Sequence, residues 1–246
     1  MVKTDSLCLF LPFWATALAG CGGGTAATVA AAAPSAKPAD SATPAPASAK
    51  ACSDGLIDDA EDNDGKIAVQ KDRGGYWFTY VDSNGSTINP KKFEMAQGGA
   101  NGSKYAAHMT GKMGTKGDSV WAGMGFSFTD PKKPYNATAY KGVSFQAKIG
   151  SGSTEKVHVT LADINTDPEG NVCKDKCYNH FGADVTLTDK WAKYTIPFSG
   201  MTQQSGWGEP HPPSIDASKV FGMQWAESKQ GASFDVWVDD IQFVCE

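Results

Sequence analysis

The chain has no apolar run that reaches the roughly 20 residues a bilayer crossing needs; the stretch from Leu7 to Leu18 is too short. No window of eleven or more residues carries apolar positions at helical spacing, which excludes helical bundles and α/β folds. Lys and Arg form no cluster. The net charge is −5; Lys3 and Asp5 cancel, and Lys37, Lys50 and Asp40 sum to +1, so the residues from Cys52 onward carry about −6. An acidic domain without a basic patch argues against nucleic acid or an anionic membrane surface as partner. The four histidines, His108, His158, His180 and His211, are scattered, a weak signal for a metal enzyme. No nucleophile elbow, phosphate loop or dinucleotide fingerprint occurs.

What is present begins with an export signal. Lys3, the short apolar stretch and the small residues Leu18-Ala19-Gly20-Cys21 have the order of a secretory leader. The last four resemble the lipobox of bacterial lipoproteins, which implies cleavage after residue 20 and a lipid on Cys21. The alternative is an ordinary leader with a coincidental cysteine. Either way the mature protein is expected outside the cytoplasm, in the cell envelope or on its surface, touching membrane only through the anchor. Residues 21–51 follow as a tether, whose Ala/Pro/Ser/Thr tract holds 13 Ala, 4 Pro and no aromatic residue. Such a composition cannot bury enough apolar surface to order itself. Thirty residues reach roughly 90 Å extended, or about 30 Å as a coil.

Residues 52–246 make one domain with room for a sizeable core. Outside the leader and Cys21, four cysteines remain: Cys52, Cys173, Cys177 and Cys245. An even number in an oxidising compartment suggests two disulfides, with three possible pairings. The favoured one joins Cys173 to Cys177 across a small loop and Cys52 to Cys245 across the domain ends. The rival is a metal site on Cys173, Cys177 and His180.

Period-two alternation marks strands at residues 120–128, 143–149, 157–161, 191–198 and 234–238, with Gly, Asn, Asp and Pro clusters between them. One helical turn could form over residues 215–220. Many short strands without helices predict an all-β sandwich or barrel. Trp121 falls on the non-core side of its strand, where a large bare ring is costly. Gln146, His158 and Thr160, with Gln224 as a further candidate, share that polar pattern. Aromatic faces beside amide, imidazole and hydroxyl groups suit sugars, whose C–H faces are apolar and whose edges are polar. Tyr76, Trp77, Tyr80 and Trp207 could add platforms, and Asp163 and His180 join the candidate set. Trp191 and Trp225 sit in apolar patterns and read as structural.

Four segments carry a family resemblance: Leu56-Ile57-Asp58-Asp59-Ala60-Glu61-Asp62, Trp191 through Ser199, Gln204-Ser205-Gly206-Trp207-Gly208, and Phe234 through Ile241. Together they resemble galactose-binding-like jelly rolls. Within that group they are similar to family 11 carbohydrate-binding modules and to complex-I-intermediate-associated-protein-30-like domains. The resemblance implies a β-sandwich jelly roll whose concave sheet binds a polysaccharide or oligosaccharide. The protein is expected to act as a monomer. It also implies a structural calcium where the first and last strands meet. Glu61 and Asp239 match its acidic ligands, and Asp59 and Lys104 match positions that give backbone carbonyls. Asn101 stands where relatives have an acid. Calcium takes six to eight oxygens, so this donor set suits it in kind.

Other readings remain open at this point. A glycoside hydrolase or lyase would need two carboxylates flanking the bond, recruited from Asp163, Asp167, Glu169 and Asp184. A metal enzyme would use His158, His180 and Asp163. An assembly role through a protein partner is the fourth.

Overall fold

The computed structural model describes residues 51–117 and 119–245. The leader, Cys21 and the tether up to residue 50 lie outside the described residues; Ala51 already belongs to β1. The elements in order are β1 (Ala51–Asp58), β2 (Trp77–Val81), β3 (Thr87–Asn89), β4 (Ala96–Gln97), β5 (Tyr105–Lys112), β6 (Ala122–Ser127), β7 (Gly142–Ile149), β8 (Lys156–Asp163), β9 (Phe181–Thr186), β10 (Ala192–Pro197), β11 (Val220–Glu227) and β12 (Ser233–Val244). Three short 3₁₀ turns complete the regular structure among the described residues. Residues 215–220 form a turn closed by Asp216, which accepts the Ser218 amide and hydroxyl, rather than a helix.

All pairings are antiparallel, and the strands form two sheets. One runs β10-β7-β12-β5-β3, with β1 on β12 and β4 on β5; the other runs β2-β6-β11-β8-β9. The alternating strands read from the sequence appear as β6, β7, β8, β10 and β12. Their apolar sets meet between the sheets, where Trp225 is surrounded by Trp77, Phe126 and Phe145 at ring-centroid distances of 5.8, 6.1 and 5.4 Å. The fold is the expected jelly-roll sandwich.

The chain's only arginine, Arg73, is buried against this core. Its guanidinium lies 5.6 Å from the Tyr135 ring centre and 5.3 Å from that of Phe243. Its Nη2 donates to the carbonyls of Asp54 and Leu56 at 2.7 and 2.9 Å, so it pins β1 to the domain. Cys52–Cys245 closes the same end, and Cys173–Cys177 closes a small loop. Both favoured pairings are present, and the second removes the Cys173–Cys177–His180 metal site, since disulfide sulfurs are no longer thiolate ligands.

Candidate functional site

The outward face of the five-stranded sheet carries two rows of side chains that run across the strands. Registers place Phe78, Gly125, Gln224, Thr160 and Gly182 in one row, continued by the bridge from Gly182 to Thr202. Tyr80, Gly123, Ala226, His158 and Asp184 form the next. Glycine and alanine leave a low floor on which the larger groups lie down. A β-carbon on Gly123 would stand 2.4 Å from the Tyr80 hydroxyl, so the phenol occupies that space. Gln224 lies over Gly125 in the same way, with its Cγ 2.8 Å from such a carbon. His158 and Thr160 close over Gly182.

Aromatic rings bound this floor at the β2 side. Tyr80 stands 5.9 Å from Trp121 and 6.2 Å from Phe78, centre to centre. Trp121 is 46% exposed. It is held by its backbone: its N–H donates to Asp82 Oδ2 at 2.7 Å, and its carbonyl accepts the Asp82 N–H at 2.9 Å. The ring can therefore stay bare while its position is fixed. Burial pushes the Tyr80 hydroxyl above its ordinary pKa, so it remains a neutral phenol. Across the floor, His158 Nδ1 is 2.8 Å from Asp184 Oδ1. That contact holds the Asp184 carboxyl below its usual range and leaves Nε2 toward the floor. The Gln224 amide and the Thr160 hydroxyl have no partner among the described residues.

Beyond β9, two loops carry further rings. Tyr178 is 67% exposed and Trp207 46%. Asn179 ties the loops together: its Nδ2 donates to the carbonyls of Gln204 and Trp207 at 2.8 and 2.6 Å, and its Oδ1 accepts the Gln204 N–H at 3.0 Å. Trp207 Nε1 donates to Gln204 Oε1 at 3.1 Å.

Of the sequence-predicted site residues, Tyr80, Trp121 and His158 come together on this face. Tyr76 flanks it just before β2, and Trp207 stands on the adjoining loop. Four others go elsewhere. Trp77 is 5% exposed, stacked on Phe93 at 4.8 Å, with Nε1 donating to Asp58 Oδ2 at 2.5 Å; its ring belongs to the core. Gln146 is on β7, in the other sheet, beside a cavity of about 150 Å³ shared with Lys193, Asp240 and Gln242. Asp163 is fully buried and accepts from Asn165, Thr166 and the Asp216 N–H, so it shapes its loop. His180 is buried on Thr166 Oγ1 at 3.0 Å, and burial pushes its pKa down to about 4. His180 and Asp163 meet through Thr166 Oγ1, which bonds both, but among the described residues they do not come within one ion's reach together with His158. The loop acids are likewise engaged singly: Asp167 pairs with Lys132 at 2.6 Å, and Asp184 with His158. Sequence reasoning missed Phe78 and the glycine floor. Register alone reveals the floor, because isolated glycines in strands signal close approach without saying of what.

The predicted metal ligands do lie near one another. Glu61 Oε1 accepts from Ser103 Oγ and from the amides of Lys104 and Tyr105 at 2.7–3.0 Å. Asp239 Oδ2 accepts the Ala100 N–H at 2.7 Å, and the Lys104 carbonyl accepts from Gly98 at 2.8 Å. Burial pushes Asp239 up to about 6. Burial raises Asp240 as well; Asn101 bonds to it, while the charges of Asp59 and Glu61 act against its ionisation. Every donor is an oxygen, which fits a hard cation. Among the described residues no three His, Cys, Asp or Glu side chains share one ion's reach, so any calcium would also draw on Asn101 and backbone carbonyls.

Comparison with known proteins follows the same lines. The family 11 carbohydrate-binding module of a cellulosomal cellulase of Clostridium thermocellum superposes with a TM-score of 0.55 at 15% identity, covering 77% of this chain and 94% of that one. A family 11 module from the same organism, in complex with a β-1,3-1,4-mixed-linked tetrasaccharide, gives 0.51 at 16%, covering 68% and 88%. At such identities the likeness is one of fold. No curated protein matches the chain. A family model does: carbohydrate binding domain 30 matches residues 66–245, which takes in every strand but β1 and the whole aromatic face. The chain is a member of the carbohydrate binding domain 30 family.

Proposed function

We propose that this protein is a lipid-anchored, cell-surface module that holds a β-glucan or cellulose-like chain across the outward face of the five-stranded sheet. One observation carries the reading. A floor of Gly123, Gly125 and Gly182 lies under Tyr80, whose ring is 5.9 Å from Trp121, beside the unpartnered amide of Gln224 and hydroxyl of Thr160. Flat rings would take the C–H faces of the sugars, and the free polar groups their hydroxyls. Asp163, Asp167 and Asp184 are each engaged by neighbouring groups, Asp167 by Lys132 and Asp184 by His158, which favours holding over cleaving.

Titration calorimetry against β-glucan, xylan, mannan and xyloglucan oligosaccharides tests this. Saturable heat with no new reducing ends is expected, and absence of heat for all four would sink it. Trp121→Ala should weaken binding by about tenfold or more, about 1.4 kcal/mol, without unfolding the domain, because the ring is half exposed. An unfolded variant would place Trp121 in the core instead.

Calcium would act here as a clamp between the end of β1 and the middle of β12, held by Glu61, Asp239, Asn101 and the Asp59 and Lys104 carbonyls. The support is the all-oxygen donor set and the charges of Asp59 and Glu61, which act against the ionisation of Asp240. Calcium should raise the melting temperature of the parent and a chelator should lower it, since binding to the folded state alone stabilises it. Asp239→Ala should melt lower and lose that response. A response equal to the parent's would remove Asp239 from the site.

A further inference from the structure

The free edge of the five-stranded sheet is built into a cleft. β2 has β6 on one side only. On the other side, Trp77 N–H donates to the Gly65 carbonyl at 3.0 Å and Thr79 Oγ1 donates to the Lys91 carbonyl at 2.9 Å. These bonds hold residues 64–66 and 91–93 against the strand, around a space of about 460 Å³. Tyr76, Phe78 and Phe93 give it aromatic walls, and Lys66, Lys91 and Lys92 stand in its lining. The one carboxylate there, Asp64, is turned to the backbone, accepting the Lys66 N–H at 2.8 Å. None of the three ammonium groups has an acceptor among the described residues. On a domain of charge about −6, three lysines against one lining carboxylate make a local reversal of sign.

We infer that this cleft takes an acidic sugar unit, one bearing a carboxylate or a sulfate ester. The ring would pack on Tyr76 and Phe78, with the anion facing Lys66, Lys91 and Lys92. Phe78 also opens the row Phe78–Gly125–Gln224–Thr160, so the cleft continues the glycan-holding face rather than lying apart from it. The inference rests on the reading that this face holds a glycan, and it adds the charge of the chain that is held. A nucleic acid offers anions as well, but its unbroken phosphate charge would meet the acidic remainder of the domain.

The test uses the full chain and four soluble polymers: a neutral mixed-linkage glucan, a polyuronate, a sulfated galactan and single-stranded DNA. Three exposed ion pairs together amount to about tenfold in affinity. One acidic polysaccharide should therefore bind about tenfold more tightly than the neutral glucan at low salt, and whichever of the two it is names the anion. The advantage should vanish in about 1 M salt, where screening acts within about 3 Å. The combined Lys66→Gln, Lys91→Gln, Lys92→Gln variant should lose the advantage while keeping the parent's neutral-glucan affinity and melting temperature. A matched variant, Lys112→Gln, Lys141→Gln, Lys219→Gln, should keep it. Equal affinity for neutral and acidic polymers, equal loss in the matched variant, or DNA bound as tightly as the polysaccharide would each overturn the inference. Neutral glucan binding with no acidic preference overturns this inference alone. No binding of any glycan overturns the glycan reading with it.

Discussion

Replacing Cys52 and Cys245 together by serine should lower the melting temperature by roughly 5–15 °C. The bridge spans 193 residues of sequence. In the chain-entropy account a cross-link of that span restricts the unfolded chain by about 5 kcal/mol, and measured losses run at about 2–5 kcal/mol. For a domain near 200 residues, each kcal/mol shifts the transition by about 2–4 °C. The Cys173–Cys177 bridge spans only 4 residues, so its removal should cost about 2 kcal/mol at most by the same account, felt mainly in the loop that carries Tyr178. Thermal unfolding of the two double-serine variants, followed by calorimetry, checks both values. A Cys52/Cys245 variant that melts with the parent would mean that the bridge does not form in the folded protein. Folded-state contacts do not replace it: Arg73 and the β12 ladder still hold β1 in the variant, and the loss lies in the freedom regained by the unfolded chain.

How far this architecture could be read in advance depended on the pattern in each strand. Strands β6, β7, β8, β10 and β12 alternate cleanly, and each was legible. β2 was not. In Tyr76-Trp77-Phe78-Thr79-Tyr80 four of five residues are aromatic, so period two marks no face. Trp77 therefore looked as available as Tyr80, although one packs on Trp225 and the other lies across Gly123. β5 is similarly quiet: Ala106, Ala107 and Gly111 give little contrast between its sides.

Alternation also says inward or outward without saying of which sheet. Gln146 and His158 are both outward, but β7 and β8 belong to different sheets, so the two side chains stand on opposite surfaces of the sandwich. The same limit hid the glycine floor, because Gly123, Gly125 and Gly182 become neighbours only through the β6–β11–β8–β9 register. Asp163 and His180 failed for another reason. Asp163 ends β8 and His180 just precedes β9, at the two ends of the long loop, and there a polar residue satisfies the turn as readily as it meets a ligand: the Asp163 carboxylate accepts four loop hydrogen bonds and His180 bonds Thr166.

Glu227→Gln should stabilise the protein above pH 8 and leave it nearly unchanged at pH 5. Glu227 ends β11 with 2% of its surface exposed, and its Oε1 has no hydrogen-bond partner. Burial pushes its carboxyl from the ordinary 4.5 up to about 8; Lys229 acts in the opposite sense and Asp184 adds to the rise. The folded protein therefore keeps a proton that the unfolded chain releases near pH 4.5. Between those two values stability falls as pH rises, because the unfolded state binds fewer protons; beyond about 8 the loss is complete. At about 1.36 kcal/mol per pH unit the full gap corresponds to about 4–5 kcal/mol, an upper bound because local opening and water entry would relieve part of it. Glutamine keeps the shape of the protonated acid and cannot ionise, so this contribution to the slope disappears. Asp58 and Asp239, pushed up to about 7 and about 6 by burial, contribute slopes of the same sign. The comparison must therefore be parent against variant at each pH, not the parent alone. Denaturant unfolding at pH 5, 7 and 9 measures it. Equal parent–variant differences at all three values would mean that Glu227 ionises freely in the folded protein, reached by water at the end of the strand.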